Sequence, residues 1–173
     1  MVVTNDQTLY ERAVHLKGQG LAAHRQYWHD VIGYNYRMTN ICAAIGCAQL
    51  QRAAQFLADK KRIAEDYRDR LSAVPVTFQH EPQDTVHSHW MISLLCRHAD
   101  DRDPLREVLD QAGIETRPVF FPVHTMPMYA ATYQNLPVAQ DIGRRGLSIP
   151  SWPGLGEDQI ARICDTITAF YGR

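Results

Sequence analysis

The chain has 173 residues, 45% hydrophobic and 21% charged, with a formal net charge of −1. That suits one globular domain, or one domain plus extensions, with a real core. The near-neutral charge and a pI of about 6.7 leave no electrostatic footprint for nucleic acid or an anionic membrane. No apolar run reaches the roughly 18 residues of a membrane span, and the N-terminus has no signal-peptide pattern, so a cytoplasmic location is expected. The four cysteines, Cys42, Cys47, Cys96 and Cys164, include no C-x-x-C pair. Reduced, mostly buried thiols are the expectation.

In chain order, Met1-Val2-Val3-Thr4 is a β-branched run that predicts a strand. Asn5 or Asp6 caps a helix whose Leu9, Ala13 and Leu16 keep one face apolar, and Gly18 and Gly20 stop it. The stretch His24–Asn40, HRQYWHDVIGYNYRMTN, follows. It holds Tyr27, Trp28, Tyr34 and Tyr36 beside Arg25, Arg37, His29 and an Asn35 next to Gly33. Four aromatics can bury enough area to hold a long loop in place. Either the loop delivers polar groups to a site, or it is a surface loop pinned by its own rings.

Thr39 or Asn40 caps the next helix. Ile41, Ala44, Ile45 and Ala48 form a stripe predicted to be buried, with small residues at 43, 44, 46 and 48. Helical signal runs on to Leu71 through Ala53, Leu57, Ala64 and Tyr67. One continuous helix there would be about 45 Å long, so it either bends near Ala58–Asp59 or extends to meet a partner. Its charges, from Lys60 to Arg70, read as a solvated face. Val76–Gln79 and His89–Cys96 are strands, the second with Trp90, Ile92, Leu94 and Cys96 on one face. Asp103-Pro104 starts a helix that ends at Gly113. Ile114–Phe121 is a strand broken by Pro118, so an edge, and Arg117–Tyr129 wraps three prolines and three aromatics around His124. Leu147–Pro150 is a short strand, and Glu157 opens a last helix with Ile160, Ile163, Ile167 and Phe170 as its stripe. The order predicts a mixed α/β (α+β) layer, with helices packed on a small, mostly antiparallel sheet.

There is no G-x-G-x-x-G, Walker or G-x-S-x-G motif. His87 and His89 would share a strand face, either as the start of a metal site or as a structural pair. His124 is a substrate contact, a proton relay or a buried, hydrogen-bonded histidine. Asn35 suits a phosphate contact through its amide N–H groups, or a turn. Arg37 suits a bidentate carboxylate or phosphate, or an interface salt bridge.

The run GYNYRMTNICAAIGCAQL (Gly33–Leu50) resembles the signature of the DegT/DnrJ/EryC1/StrS sugar aminotransferases. The resemblance extends through MVVTND, LKGQG, HRQYWHDVIGYNYRMTNICAAIG and TRPVFFPVHTMPMY, essentially the whole chain. It implies the C-terminal part of a pyridoxal-phosphate enzyme of the aspartate-aminotransferase fold (fold type I). The family relationship implies transfer of an amino group from L-glutamate to C4 of GDP-4-keto-6-deoxy-D-mannose, with pyridoxal 5'-phosphate as electron sink. It also implies a dimer whose active sites are built from both subunits. In that frame Asn35 matches the Asn that reaches across the dimer to the cofactor phosphate. Arg37 matches the Arg facing substrate or amino donor. His124 and its aromatic neighbours match the loop lining the sugar-nucleotide pocket, with Arg25, Tyr27, Trp28 and His29 weaker matches in that pocket.

The family's Schiff-base lysine falls shortly before Met1. Lys17, Lys60 and Lys61 match no catalytic position. The resemblance therefore implies residues 1–40 as the end of a large-domain sheet plus the aromatic loop, and residues 41–173 as the small domain. The domain carrying cofactor and lysine is expected to lie outside this chain, which alone is expected to be inactive. A non-catalytic module, dimerising with a full-length aminotransferase and lending it Asn35 and Arg37, is the alternative. Faces made for a larger partner predict self-association.

Overall fold

Caps mark where the helices begin. Asp6 accepts the Leu9 N–H at 3.0 Å and opens α1, Gln7–Lys17; Thr39 accepts the Cys42 N–H at 3.3 Å and opens α2, Asn40–Gln51. Each side chain satisfies an N–H that the first helical turn leaves over. The structure, a computed structural model, describes residues 2–130 and 135–172. These fall into two compact units, Met1–Arg52 and Ala53–Arg173.

In the first unit, Val2–Thr4 form no strand. A strand exists by its ladder, and here Thr4 Oγ1 accepts the Asp6 N–H at 3.0 Å, a local turn that competes with pairing. The apolar face predicted for α1 is present in sequence, yet α1 buries no residue. Nor does α2: Ile41 is 75% exposed and Ile45 is 60% exposed. The stripe predicted as buried is therefore open, because nothing among the described residues covers it. Cys42 and Cys47 on this helix are exposed as well, so only Cys96 and Cys164 fit the expectation of buried thiols.

The long helix is two. It breaks at Arg52, whose backbone leaves the helical region (φ −101°, ψ 2°), and not at Ala58–Asp59. Helix α3, Ala53–Arg70, opens the second unit. Its Ile63, Ala64, Tyr67 and the following Leu71 enter the core at the i, i+3, i+4 spacing of one helical face. The sheet has strands β1 (Thr77–Phe78), β2 (Ile92–Leu95), β3 (Arg117–Pro118) and β4 (Gly146–Ile149), in the order β1-β2-β4-β3 with every pair antiparallel. Pro118 sits on an edge strand, as a residue without an N–H must. Central β4 is buried along its length. Ser148 on it faces Ser93 in register, with the two hydroxyls 2.8 Å apart, so a buried polar pair satisfies itself.

Two predicted boundaries shift. The strand foreseen from His89 starts at Ile92, because His89 has φ +49° and turns the chain first; Trp90 is consequently exposed while Ile92, Leu94 and Cys96 are buried. Helix α4 (Arg102–Gln111) begins before Asp103, behind a 3-10 turn at Ala99–Asp101, and Leu105 and Leu109 fill its inner face. Helix α5, Pro137–Arg145, has no counterpart in the sequence reading. Its Gly143 lies against the Pro122 ring, where a Cβ would meet Cδ at 2.8 Å. Helix α6 (Glu157–Tyr171) buries Ile160, Ile163 and Ile167 as foreseen. With α3 and α4 it covers the sheet in one hydrophobic core.

Candidate active site

The aromatic loop is held by backbone, not by its rings. Tyr34 N–H donates to Leu16 O at 2.7 Å, Gln19 N–H to Tyr34 O at 3.0 Å, and Tyr36 N–H to Lys17 O at 3.1 Å. These tie residues 34–36 to the C-terminal end of α1. Between them the chain makes a small hairpin, with Ala22 N–H on Trp28 O at 2.8 Å and Asp30 N–H on Gly20 O at 3.1 Å. Two glycines permit this approach. Gly20 has φ +66°, and a Cβ on Gly33 would lie 2.2 Å from Gly20 N, closer than any side chain can sit. The aromatics stay largely in solvent, Tyr27 at 93% exposure. The expectation that their burial anchors the loop is therefore replaced by main-chain pairing through close backbone contact.

This frame sets the direction of each candidate side chain. Tyr34 and Tyr36 stack at 5.2 Å between ring centroids, with planes 12° apart, so they share one side of the strand-like segment. Side chains alternate along extended backbone, which puts Asn35 and Arg37 on the opposite side. Both are exposed, and neither side chain makes a hydrogen bond or ion pair among the described residues. Arg25 lies over the Trp28 ring, 4.1 Å from its centroid, a cation–π contact. His29 donates from Nδ1 to Gln19 O at 2.9 Å, which leaves its Nε2 outward. Tyr27 stands at the hairpin tip in the left-handed region, φ +57°. His15 Nε2 to Asp30 Oδ1 at 2.7 Å braces helix to hairpin, a contact the sequence reading did not single out.

His124 belongs to the second unit. It sits in a 3-10 turn, Val123–Thr125, closed by Thr125 N–H and Oγ1 on Pro122 O at 2.9 and 2.7 Å. It is buried to 7% exposure, and the Gln140 amide on α5 donates to its Nε2 at 3.1 Å. His124 is thus buried and hydrogen-bonded to α5. Phe120, Phe121 and Tyr129 around it are exposed.

Lys60 departs from the reading of its helix as a solvated face. It is 9% exposed and lies on the same face of α3 as Ile63, Ala64 and Tyr67. Its ammonium donates to Trp90 O at 2.9 Å, to Ser151 Oγ at 2.8 Å and to Ser151 O. Burial pushes its pKa below the usual lysine value. The spacing 60, 63, 64, 67 was the available signal, masked by the run of charges around it. Lys61 remains exposed and pairs with Glu65 at 3.8 Å, and Lys17 is exposed. Among the described residues, no group of three His, Cys, Asp or Glu converges as a metal site, and no helix is long and apolar enough to cross a membrane.

The sequence profile of the DegT/DnrJ/EryC1/StrS aminotransferase family matches residues 1–168. The chain belongs to that family. It is 56% identical over 171 residues to a GDP-perosamine synthase of Escherichia coli O157:H7, covering 99% of this chain and 47% of that protein. It is 42% identical to one from Vibrio cholerae, over 99% of this chain and 48% of that protein. Among solved structures, that of DesV from S. venezuelae, in complex with a ketimine intermediate, superposes with a TM-score of 0.82 at 29% identity, over 99% of this chain and 46% of that one. The chain thus spans about half the length of the family members it matches, and its fold is that of part of a pyridoxal-phosphate transferase, as the sequence resemblance implied.

Proposed function

We propose that this chain is the C-terminal part of a sugar-nucleotide aminotransferase that moves an amino group from L-glutamate to C4 of GDP-4-keto-6-deoxy-D-mannose, for O-antigen and lipopolysaccharide synthesis. The observation that carries this reading is the pair Asn35 and Arg37: two unpartnered polar side chains, on one side of a segment whose register is locked by backbone, in a chain 56% identical to a GDP-perosamine synthase. An exposed amide and guanidinium fit a phosphate or carboxylate. In this reading the Asn35 amide donates to the cofactor phosphate of the other subunit of a dimer, and Arg37 faces the substrate or the amino donor. Arg25, Tyr27, Trp28 and His29 of the first unit are assigned contacts to the sugar nucleotide, and so, separately, are His124 and its neighbours of the second. Pyridoxal 5'-phosphate, when bound, supplies the electron sink for the reacting amine. A cytoplasmic location belongs to the same proposal.

The 173 residues alone are proposed to be inactive. A lysine that joins the cofactor must offer a free amine at its aldehyde. Lys60 spends its three N–H donors on Trp90 and Ser151, and Lys17 and Lys61 lie exposed on helices. A second reading is favoured by the open apolar stripe of α2: the chain dimerises with a full-length aminotransferase and completes its site.

One experiment addresses both. The purified chain is titrated with pyridoxal phosphate and treated with borohydride, then mixed with a full-length relative that lacks its own equivalent of Asn35. No covalent label on a lysine, together with restored transamination in the mixture that Asn35→Ala abolishes, is the expected result. Label fixed to a single lysine, or transamination by the chain unaided, overturns the inactive half-enzyme. A mixture that stays inactive overturns the lending of Asn35.

A further inference from the structure

The segment between β1 and β2 carries two histidines in an arrangement that the aminotransferase reading does not use. The rings of His87 and His89 stack at 4.3 Å between centroids, with planes 23° apart. The His89 N–H donates to His87 Nδ1 at 2.7 Å. This is the contact an Asn or Asp side chain makes to the backbone two residues on, here made by an imidazole. The His87 N–H donates in turn to Glu81 Oε1 at 2.9 Å. His89 is 4% exposed and holds φ +49°, a left-handed conformation that a residue with a Cβ adopts at a cost. The next residue, Trp90, gives its carbonyl to Lys60. The bend at residues 87–90 is therefore pinned at both ends.

We propose that His87 and His89 form an acid-sensitive latch: neutral His87 holds the bend by accepting the His89 amide, and protonation of His87 releases it. The chemistry has one direction. A neutral imidazole has one acceptor nitrogen, and in His87 that nitrogen must be Nδ1; the imidazolium has none. Adding the proton removes the acceptor, strands a buried N–H and places a cation against the stacked ring of His89. The surrounding charges do not cancel this. Glu81 lies on the same segment, and its carboxyl is held below the usual range, chiefly by the His87 N–H; it favours protonation. From α3, Glu65 favours a charge at His89, while Arg68 opposes it, with Lys61 near Glu81. The balance at His89 falls to burial first and to His87 second, and its pKa is lowered. The lost acceptor at His87 and the burial of His89 both make the latch strongest when both rings are neutral. The bend therefore weakens when the His87 ring takes up a proton.

The test is amide hydrogen exchange of His89 in the full chain, expressed as a protection factor so that the intrinsic pH dependence drops out, alongside ¹⁵N shifts of the His87 ring. Between about pH 7.5 and 5, His89 protection is expected to fall about tenfold or more, as a lost hydrogen bond implies, with the same midpoint as protonation of His87 Nδ1. His87→Asn places a non-titrating oxygen where Nδ1 stood and is expected to keep the protection at the acid end. Protection that does not change with pH overturns the latch, as does a His87 ring that carries its proton on Nδ1 at neutral pH. So does a midpoint that differs from that of the ring. The wild-type measurements decide the matter even if the variant does not fold.

Discussion

Replacing Lys60 with methionine isolates a buried ammonium that has no carboxylate partner. The methionine keeps most of the apolar stem against α3 but withdraws three donors from Trp90 O, Ser151 O and Ser151 Oγ. Hydrogen bonds to a charged group contribute about 1.5–3 kcal/mol each. Part of that sum is offset, because the buried ammonium no longer has to be desolvated, the same effect that lowers its pKa. Trp90 is itself exposed, so water recovers some of its carbonyl. The net loss expected is about 2–4 kcal/mol, read as a lower urea midpoint with unchanged slope in a circular-dichroism unfolding curve. Lys61→Met, one residue on, removes only an exposed pair with Glu65 and is expected to change stability by less than about 0.5 kcal/mol. If the two variants unfold within about 0.5 kcal/mol of each other, the reasoning fails, because that interval is the size of an ordinary surface substitution.

Gly33→Ala sets a Cβ 2.2 Å from Gly20 N, so the α1–loop pairing is expected to open, with faster proteolysis within residues 20–37; Gly46→Ala, with nothing within 4 Å of its Cβ, is expected to leave that rate unchanged and to stabilise α2 by up to about 1 kcal/mol. Cys42 and Cys47 are expected to react with a thiol reagent in the native chain while Cys96 and Cys164 do not, since those are buried and burial pushes the Cys164 thiol up to about 12; four labels before denaturant would contradict this. A raised thiol pKa adds stability that is complete below the unfolded value and lost as pH rises toward the folded one. Unfolding midpoints are therefore expected to fall above about pH 9, and a Cys164→Ala background should reduce that slope, the remainder coming from the buried Cys96 and Tyr67 and the partly buried Tyr171, whose pKa values burial also raises. Paired Ile41→Asp and Ile45→Asp substitutions put charge on the open stripe of α2; size-exclusion chromatography is expected to show self-association of the parent and a shift toward monomer in the variant, and identical profiles would count against α2 as an interface.

What the sequence determined is what depends on neighbours along the chain. Asp6 and Thr39 cap their helices because a short polar side chain reaches an N–H three residues on. The stripe of α6, the edge position of Pro118 and the turn around His124 follow from spacing and from what proline cannot donate. The family signature around Asn35 and Arg37 was legible for the same reason, as a contiguous run. Burial was not legible, because it belongs to two surfaces rather than to one. The stripe of α2 has the spacing of a buried face and is exposed, while Lys60 stands in a run of charges and is enclosed by Trp90 and Ser151, thirty and ninety-one residues away. Helix α5 was hidden because its packing rests on the absence of a side chain at Gly143 against Pro122. The break at Arg52 carries no proline or glycine to announce it. Only the tertiary structure could show that Gly33 must approach Gly20, and that this backbone contact, rather than four aromatic rings, aims the side chains of the candidate site.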